Sequence, residues 1–223
     1  MRLTQHDKLV MIGDSITDCG RSRPIGEGLG AALGNGYVSI AAGLLQSVYP
    51  ELAVRVVNVG TSGHTVRDLA ARWQTDVLDL SPDWVSVMIG TNDVWRQYDQ
   101  PYIKESHVYP GEYEETLSEL VEKTLTHVKG IVLMTPFYLE PNPSDAMRST
   151  MDLYGGIVKR VAENHGTLFV DTQAAFDRVL AHIYPATIAW DRVHPSTTGH
   201  VTLAKAFLDA LGFSWQGQAG ASE

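Results

Sequence analysis

The sequence predicts a single α/β domain built on a mostly parallel sheet with helices on both faces. Three observations point there. Five short apolar runs alternate with longer segments of helical periodicity, the pattern of strand–helix–strand crossovers. Polar, glycine-containing motifs fall just past those runs, where a parallel sheet collects its binding residues. No Pro/Ser/Gly-rich linker divides the 223 residues, so one domain is expected over residues 1–213, with 214–223 a small, polar tail expected to fray.

The elements follow in order. Residues 8–12 (KLVMI) read as the first strand and run into Gly13, Asp14 and Ser15. Residues 19–37 are too rich in glycine for helix or strand and read as a surface loop. Residues 38–48 place Ile40, Leu44 and Val48 at four-residue spacing, a helix that Pro50 helps to stop. Residues 54–58 (VRVVN) read as strand two and 65–80 as a helix. Residues 83–89 (DWVSVMI) read as strand three, ending at Gly90-Thr91-Asn92-Asp93. A loop rich in Tyr, Trp and Pro is expected from 94 to 110. Leu117, Leu120, Val121, Leu125 and Val128 then give an apolar face to a helix over 113–128. Residues 131–134 read as strand four. A helix over 144–164 follows, interrupted or tightly packed at Gly155-Gly156, and then strand five at 167–170. A short helix is expected over 177–184. Pro195 suits the first turn of a last helix ending near 211.

Composition excludes several function classes. Seventeen Lys and Arg stand against 26 Asp and Glu, a net charge of -9, with no basic cluster. A nucleic-acid partner and an anionic membrane are therefore not expected. No run of apolar residues is long enough for a spanning helix, and residues 1–7 lack the apolar stretch of a secretory signal. Cys19 is the only cysteine, so no internal disulfide forms and a reducing cytoplasmic location is the default expectation.

Ser15 directly follows strand one, where a hydroxyl can face the crevice. His194 lies three residues after Asp191 in WDRVHP, close enough for a bent loop to fold the carboxylate onto the imidazole. A carboxylate on Nδ1–H would leave Nε2 free to take a serine proton. Gly60 lies just beyond strand two in NVGTSG, and Asn92 just beyond strand three. A glycine N–H, an Asn amide and the Ser15 N–H are the donor types that stabilise an oxyanion. Each residue alone has an ordinary explanation as a turn or cap, and together with the rest that explanation weakens. Asp14 and Asp93 are expected to hold loops through side-chain hydrogen bonds, and Arg192 is assigned no chemistry.

These blocks resemble those of the SGNH hydrolase superfamily, the GDSL-type esterases and lipases. The matching residues are Gly13-Asp14-Ser15-Ile16-Thr17, Gly60, Gly90-Thr91-Asn92-Asp93, and Asp191 to His194, in the family's order across most of the chain. Ile16 stands where the name-giving pattern has Leu. The resemblance implies a three-layer α/β/α sandwich, flavodoxin-like, on a central five-stranded parallel sheet. It implies Ser15 as nucleophile, His194 as base, Asp191 as its orienter, and an oxyanion hole of Ser15, Gly60 and Asn92. It implies no metal and no organic cofactor. Among family members the chain is similar to intracellular acetylxylan esterases, through GDSITD at 13–18, GTNDVW at 90–95 and WDRVHP at 190–195. That similarity implies an acetylated oligosaccharide as substrate.

Other readings are weaker. There is no G-x-S-x-G elbow, no Walker A motif, and the glycines near 28–34 are misplaced for a dinucleotide fingerprint. His194 and His200 flank the start of the last helix, but no H-E-x-x-H or cysteine cluster supports a metal-dependent deacetylase. Glu112, Glu114, Glu115, Glu119 and Glu122 suit a solvated helix face. Asp14, Trp95, Tyr98, Tyr184 and Trp190 are the candidate substrate contacts. The rings of the four aromatic residues suit a sugar face, a small acyl pocket or a contact within a homo-oligomer, and these three stay open. A short-chain lipolytic esterase or thioesterase, and a carbohydrate-binding protein without catalysis, are the alternatives to the sugar esterase.

Overall fold

The computed structural model describes residues 1–216. Among these, five strands form one parallel sheet: β1 (Lys8–Gly13), β2 (Arg55–Asn58), β3 (Trp84–Met88), β4 (Gly130–Met134) and β5 (Leu168–Val170), in spatial order β2-β1-β3-β4-β5. The helices are α1 (Ser15–Asp18), α2 (Tyr37–Val48), α3 (Val66–Asp76), α4 (Thr91–Asp99), α5 (Pro110–Leu125), α6 (Ala146–His165), α7 (Thr172–Leu180), α8 (Pro185–Ile188) and α9 (Thr197–Ala210).

Cover on both faces explains why the strands are largely apolar at successive positions. Leu9 and Met11 of β1 join a core with Leu45 of α2 and Phe207 of α9. Val10 and Ile12 join a second core with Leu69 and Trp73 of α3, Leu117 of α5 and Ile157 of α6. All four β1 side chains are fully buried, each contributing about 1.5–3 kcal/mol over exposure. Two cores on two faces make the three layers, as expected. The strand order changes direction beside β1, so the crevice at the carboxyl ends of β1 and β3 is the topological switch point.

The structure corrects several boundaries. The loop expected from 94 is helical through Asp99, and α7 starts at Thr172, where the Asp171 side chain accepts the Ala174 N–H at 2.8 Å. The last helix starts at Thr197, with Ser196 as its cap and Pro195 just outside. α6 runs uninterrupted through Gly155-Gly156, and a Cβ at Gly155 would make only ordinary contact with Thr135. Of the tail expected from 214 to 223, Ser214 folds back, its N–H donating to Tyr49 Oη at 2.9 Å and its carbonyl accepting from the same hydroxyl at 3.1 Å. Residues 217–223 lie outside the described residues.

Candidate active site

Ser15 opens α1 directly after β1, and Gly13 makes that turn: a Cβ there would sit 2.3 Å from Thr17 Oγ1 and 2.4 Å from the Met88 carbonyl. Asp14 caps α1, its Oδ1 accepting the Ile16 N–H at 2.9 Å. As the first residue of the helix, Ser15 has an N–H with no intrahelical partner. Asp14 is buried rather than lining an open cleft. Burial pushes its carboxyl up to about 6, opposed by the Ile16 N–H and by the charge of His194.

His194 and Asp191 lie on the loop between α8 and α9. Asp191 Oδ1 accepts the backbone N–H of Val193 at 3.0 Å and of His194 at 2.8 Å, which bends the loop back on itself. Its Oδ2 lies 2.6 Å from His194 Nδ1, and His194 Nε2 lies 2.9 Å from Ser15 Oγ. With the proton on Nδ1, as this network assigns it, Nε2 offers its lone pair to the Ser15 hydroxyl. Burial raises the Asp191 carboxyl, but the ring and backbone N–H donors outweigh burial and hold it below the ordinary carboxylate range.

Three features hold this constellation that the sequence did not single out. Arg192 has φ of 63°, pairs with Glu140, and accepts the Leu139 N–H at 2.9 Å on its carbonyl, fastening the 191–194 turn beyond β4. Asn58 is fully buried: its amide donates to the carbonyls of Thr17 at 2.7 Å and Leu33 at 2.9 Å. Arg21 donates from Nε to the Gly60 carbonyl at 2.7 Å. A buried Asn at the end of an apolar strand and a buried Arg in a glycine-rich loop carry no periodic signal, so only the structure reveals them.

The donors expected for an oxyanion divide. Gly60 allows close approach, since a Cβ there would lie 2.4 Å from Asp18 N. Its N–H, however, donates to Asn58 Oδ1 at 2.9 Å, so it does not stand free as the sequence led us to expect. Asn92 spends one amide hydrogen on the His64 carbonyl at 2.9 Å, and its Oδ1 takes Arg96 Nη2 at 3.3 Å. Next in sequence, Asp93 Oδ1 accepts the Val66 N–H at 3.0 Å and so caps α3 from outside, while its buried Oδ2 has no partner among the described residues. Burial pushes Asp93 up to about 7.

Of the aromatic candidates, Trp95 reaches the site, its ring 5.8 Å from that of His194. Tyr98 does not. Its hydroxyl lies 2.7 Å from both the Ala146 carbonyl and Thr150 Oγ1, which ties α4 to α6. Tyr184 and Trp190 are strongly exposed, and no ring contact joins them to His194 among the described residues. His200 is committed elsewhere, with Nδ1 accepting the Tyr37 N–H at 3.2 Å and Nε2 3.4 Å from Cys19 Sγ. Burial first, then the neighbouring His194, lowers its pKa to about 4. Among the described residues no group of three or more His, Cys, Asp and Glu is arranged to hold a metal ion, and no helix is long and apolar enough to cross a membrane.

A hydroxyl, an imidazole and a carboxylate in hydrogen-bonded series at a switch point, with amide groups on neighbouring strand ends, form the arrangement that acyl-transfer enzymes use. Residues 11–201 match the GDSL-like Lipase/Acylhydrolase family, and the chain belongs to that family. It is 63% identical over 215 residues, 96% of this chain and 98% of the relative, to an acetylxylan esterase of Geobacillus stearothermophilus. The crystal structure of a catalytic mutant of that organism's acetylxylan esterase Axe2, S15A, superposes with a TM-score of 0.96 at 63% identity, covering 96% of this chain and 98% of that one. That of a second catalytic mutant, H194A, gives 0.97 at 61% identity, over 99% and 100%.

Proposed function

We propose that the protein is a serine O-acetylesterase that removes acetyl groups from xylo-oligosaccharides. The carrying observation is the continuous relay from Ser15 Oγ to His194 Nε2, and from His194 Nδ1 to Asp191 Oδ2. The 63% identity to an acetylxylan esterase supports the substrate class.

In this reading Ser15 Oγ attacks the acetyl carbonyl carbon as His194 Nε2 takes its proton. The carbonyl oxygen becomes an oxyanion, received by the Ser15 N–H and the second amide hydrogen of Asn92. Gly60 joins them when its N–H turns from Asn58 Oδ1. Asp191 stabilises the imidazolium. The C–O bond to the sugar breaks, and the sugar oxygen leaves with the proton from His194. Water then adds to the acetyl-Ser15 ester with His194 again as base, and acetate departs. Trp95, beside the base, is the ring best placed to face the sugar. The exposed Tyr184 and Trp190 fit a contact with a second copy of this chain, and a single cysteine fits a reducing compartment.

The test is acetate release from acetylated xylo-oligosaccharides and from p-nitrophenyl esters of increasing acyl length. Turnover of the sugar acetates, lost in Ser15→Ala, is expected. Preference for acyl chains well beyond acetyl would overturn the sugar reading, and oligosaccharide binding without turnover of any ester would overturn the enzyme.

A further inference from the structure

Arg72, on the α3 face toward the sheet, stands in the middle of the donor loops without touching the triad. Its side chain is only 14% exposed. Nη1 donates to the Val59 carbonyl at 2.6 Å and to Asp76 Oδ2 at 2.7 Å. Nη2 donates to the Gly13 carbonyl at 3.1 Å, and Nε to His64 Nδ1 at 3.1 Å. Three of these four acceptors each lead to one oxyanion donor, and the fourth, Asp76, lies on α3 itself. Gly13 ends β1, two residues before Ser15. Val59 directly precedes Gly60. His64 holds Asn92, because its carbonyl accepts the Asn92 amide at 2.9 Å. The Gly13 carbonyl also takes the Thr61 N–H at 3.0 Å, so the first two loops meet at the same point.

We infer that Arg72 is a positioning residue, whose guanidinium sets the mutual placement of the three segments that supply the oxyanion donors. The chemistry requires arginine. A planar fork with five N–H donors reaches Gly13, Val59 and His64 together at fixed angles, with Asn92 held in turn by the His64 carbonyl, and a lysine ammonium on a flexible stem does not. The donor from Nε also fixes His64 as the neutral tautomer with its proton on Nε2. Asp76 balances the charge, so the guanidinium is retained without leaving an unpaired ion behind the site. Preorganised donors lower the barrier because they need no reorganisation when the oxyanion forms, and a misplaced set acts on kcat more than on ground-state binding.

This inference rests on the esterase reading, and the experiment separates the two. Wild type, Arg72→Lys and Arg72→Ala are compared on p-nitrophenyl acetate and on acetylated xylo-oligosaccharide, with thermal melts of each and with added guanidinium ion. Folded Arg72→Ala is expected to lose about 10²–10³-fold in kcat, the scale of one oxyanion donor, with KM little changed. Guanidinium is expected to restore part of that loss in Arg72→Ala and nothing in wild type. Arg72→Lys, which keeps the charge and the fold, is expected to remain well below wild type. Folded variants with wild-type kcat, or a loss that follows the unfolded fraction and resists guanidinium, would overturn the positioning role alone. A wild-type protein that hydrolyses no acetyl ester overturns the esterase reading, and the positioning role falls with it.

Discussion

Asp191 holds His194 twice: Oδ1 takes the histidine's backbone N–H at 2.8 Å and Oδ2 faces its ring Nδ1 at 2.6 Å. One carboxylate therefore shapes the loop and selects the tautomer, and a substitution can separate those tasks. Asp191→Asn keeps an oxygen for the backbone N–H groups but presents an amide N–H to Nδ1. The ring proton then moves to Nε2, which can no longer accept from Ser15. Activity is expected to fall about 10⁴-fold while the melting temperature stays near wild type. Asp191→Ala should lose comparable activity and also stability. Steady-state rates and thermal melts on both variants decide it; an Asn variant within about tenfold of wild type contradicts the tautomer argument.

Gly90 and Gly43 make a matched pair. Gly90 has φ of 124°, and an added Cβ would lie 2.9 Å from both Pro136 Cγ and Tyr113 Oη, two residues before Asn92. Gly90→Ala is expected to cost about 1–3 kcal/mol or more and to lower kcat by moving Asn92. Gly43 sits exposed inside α2, with open space around its missing Cβ. Gly43→Ala is expected to stabilise by about 0.5–1 kcal/mol with activity unchanged. Denaturant unfolding of the two variants checks both signs, and equal effects would show that backbone conformation does not decide either site.

The parts of this molecule that sequence displays are those whose signal is local. A strand buried on both faces must be apolar along its length, so 8–12 and 131–134 announce themselves. Ser15, Gly60 and Asn92 each follow such a strand, and Asp191 lies within one bend of His194. What the sequence hides depends on direction in space. Tyr98 shares a helix with Trp95, yet its hydroxyl points to α6 and not to the histidine. Arg72 looks like any polar helix position, because nothing nearby in the chain says that Gly13, Val59 and His64 converge on it. The helical turn of α4 was masked by its aromatic composition, although Val94 packs it into the core.

Trp95 and Tyr98 therefore give opposite outcomes. The Trp95 ring packs against His194 and carries the Arg96 guanidinium 5.3 Å from its centroid. Trp95→Ala is expected to lower kcat/KM on acetylated xylo-oligosaccharide by about tenfold or more, and less on p-nitrophenyl acetate, which has no sugar to lose. Tyr98→Phe removes only the hydroxyl bonds to α6. It should cost about 1 kcal/mol of stability and leave kcat/KM near wild type. Equal losses on both esters for Trp95→Ala would remove the ring from the sugar site and leave it a support for the base.

Asp93 gives a pH test whose sign is fixed by burial. Desolvation raises its carboxyl to about 7, against an ordinary 3.8; the Val66 N–H opposes this, and the charges of Asp14 and Asp68 add to it. Across that interval the folded chain keeps a proton that the unfolded chain has released. Folding stability therefore falls as pH rises from about 4 to about 7, and above that the full cost is carried. Asp93→Asn removes the titration and keeps an oxygen for the Val66 N–H. The variant is expected to melt higher than wild type above neutrality, by about 1–3 kcal/mol, with the advantage shrinking as pH drops toward about 4. A residual slope up to about 6 should remain from Asp14. Melts of both proteins across this range settle the matter: an advantage independent of pH, or a wild type that is the more stable throughout, would mean that Asp93 is ionised in the fold with a partner for its second oxygen.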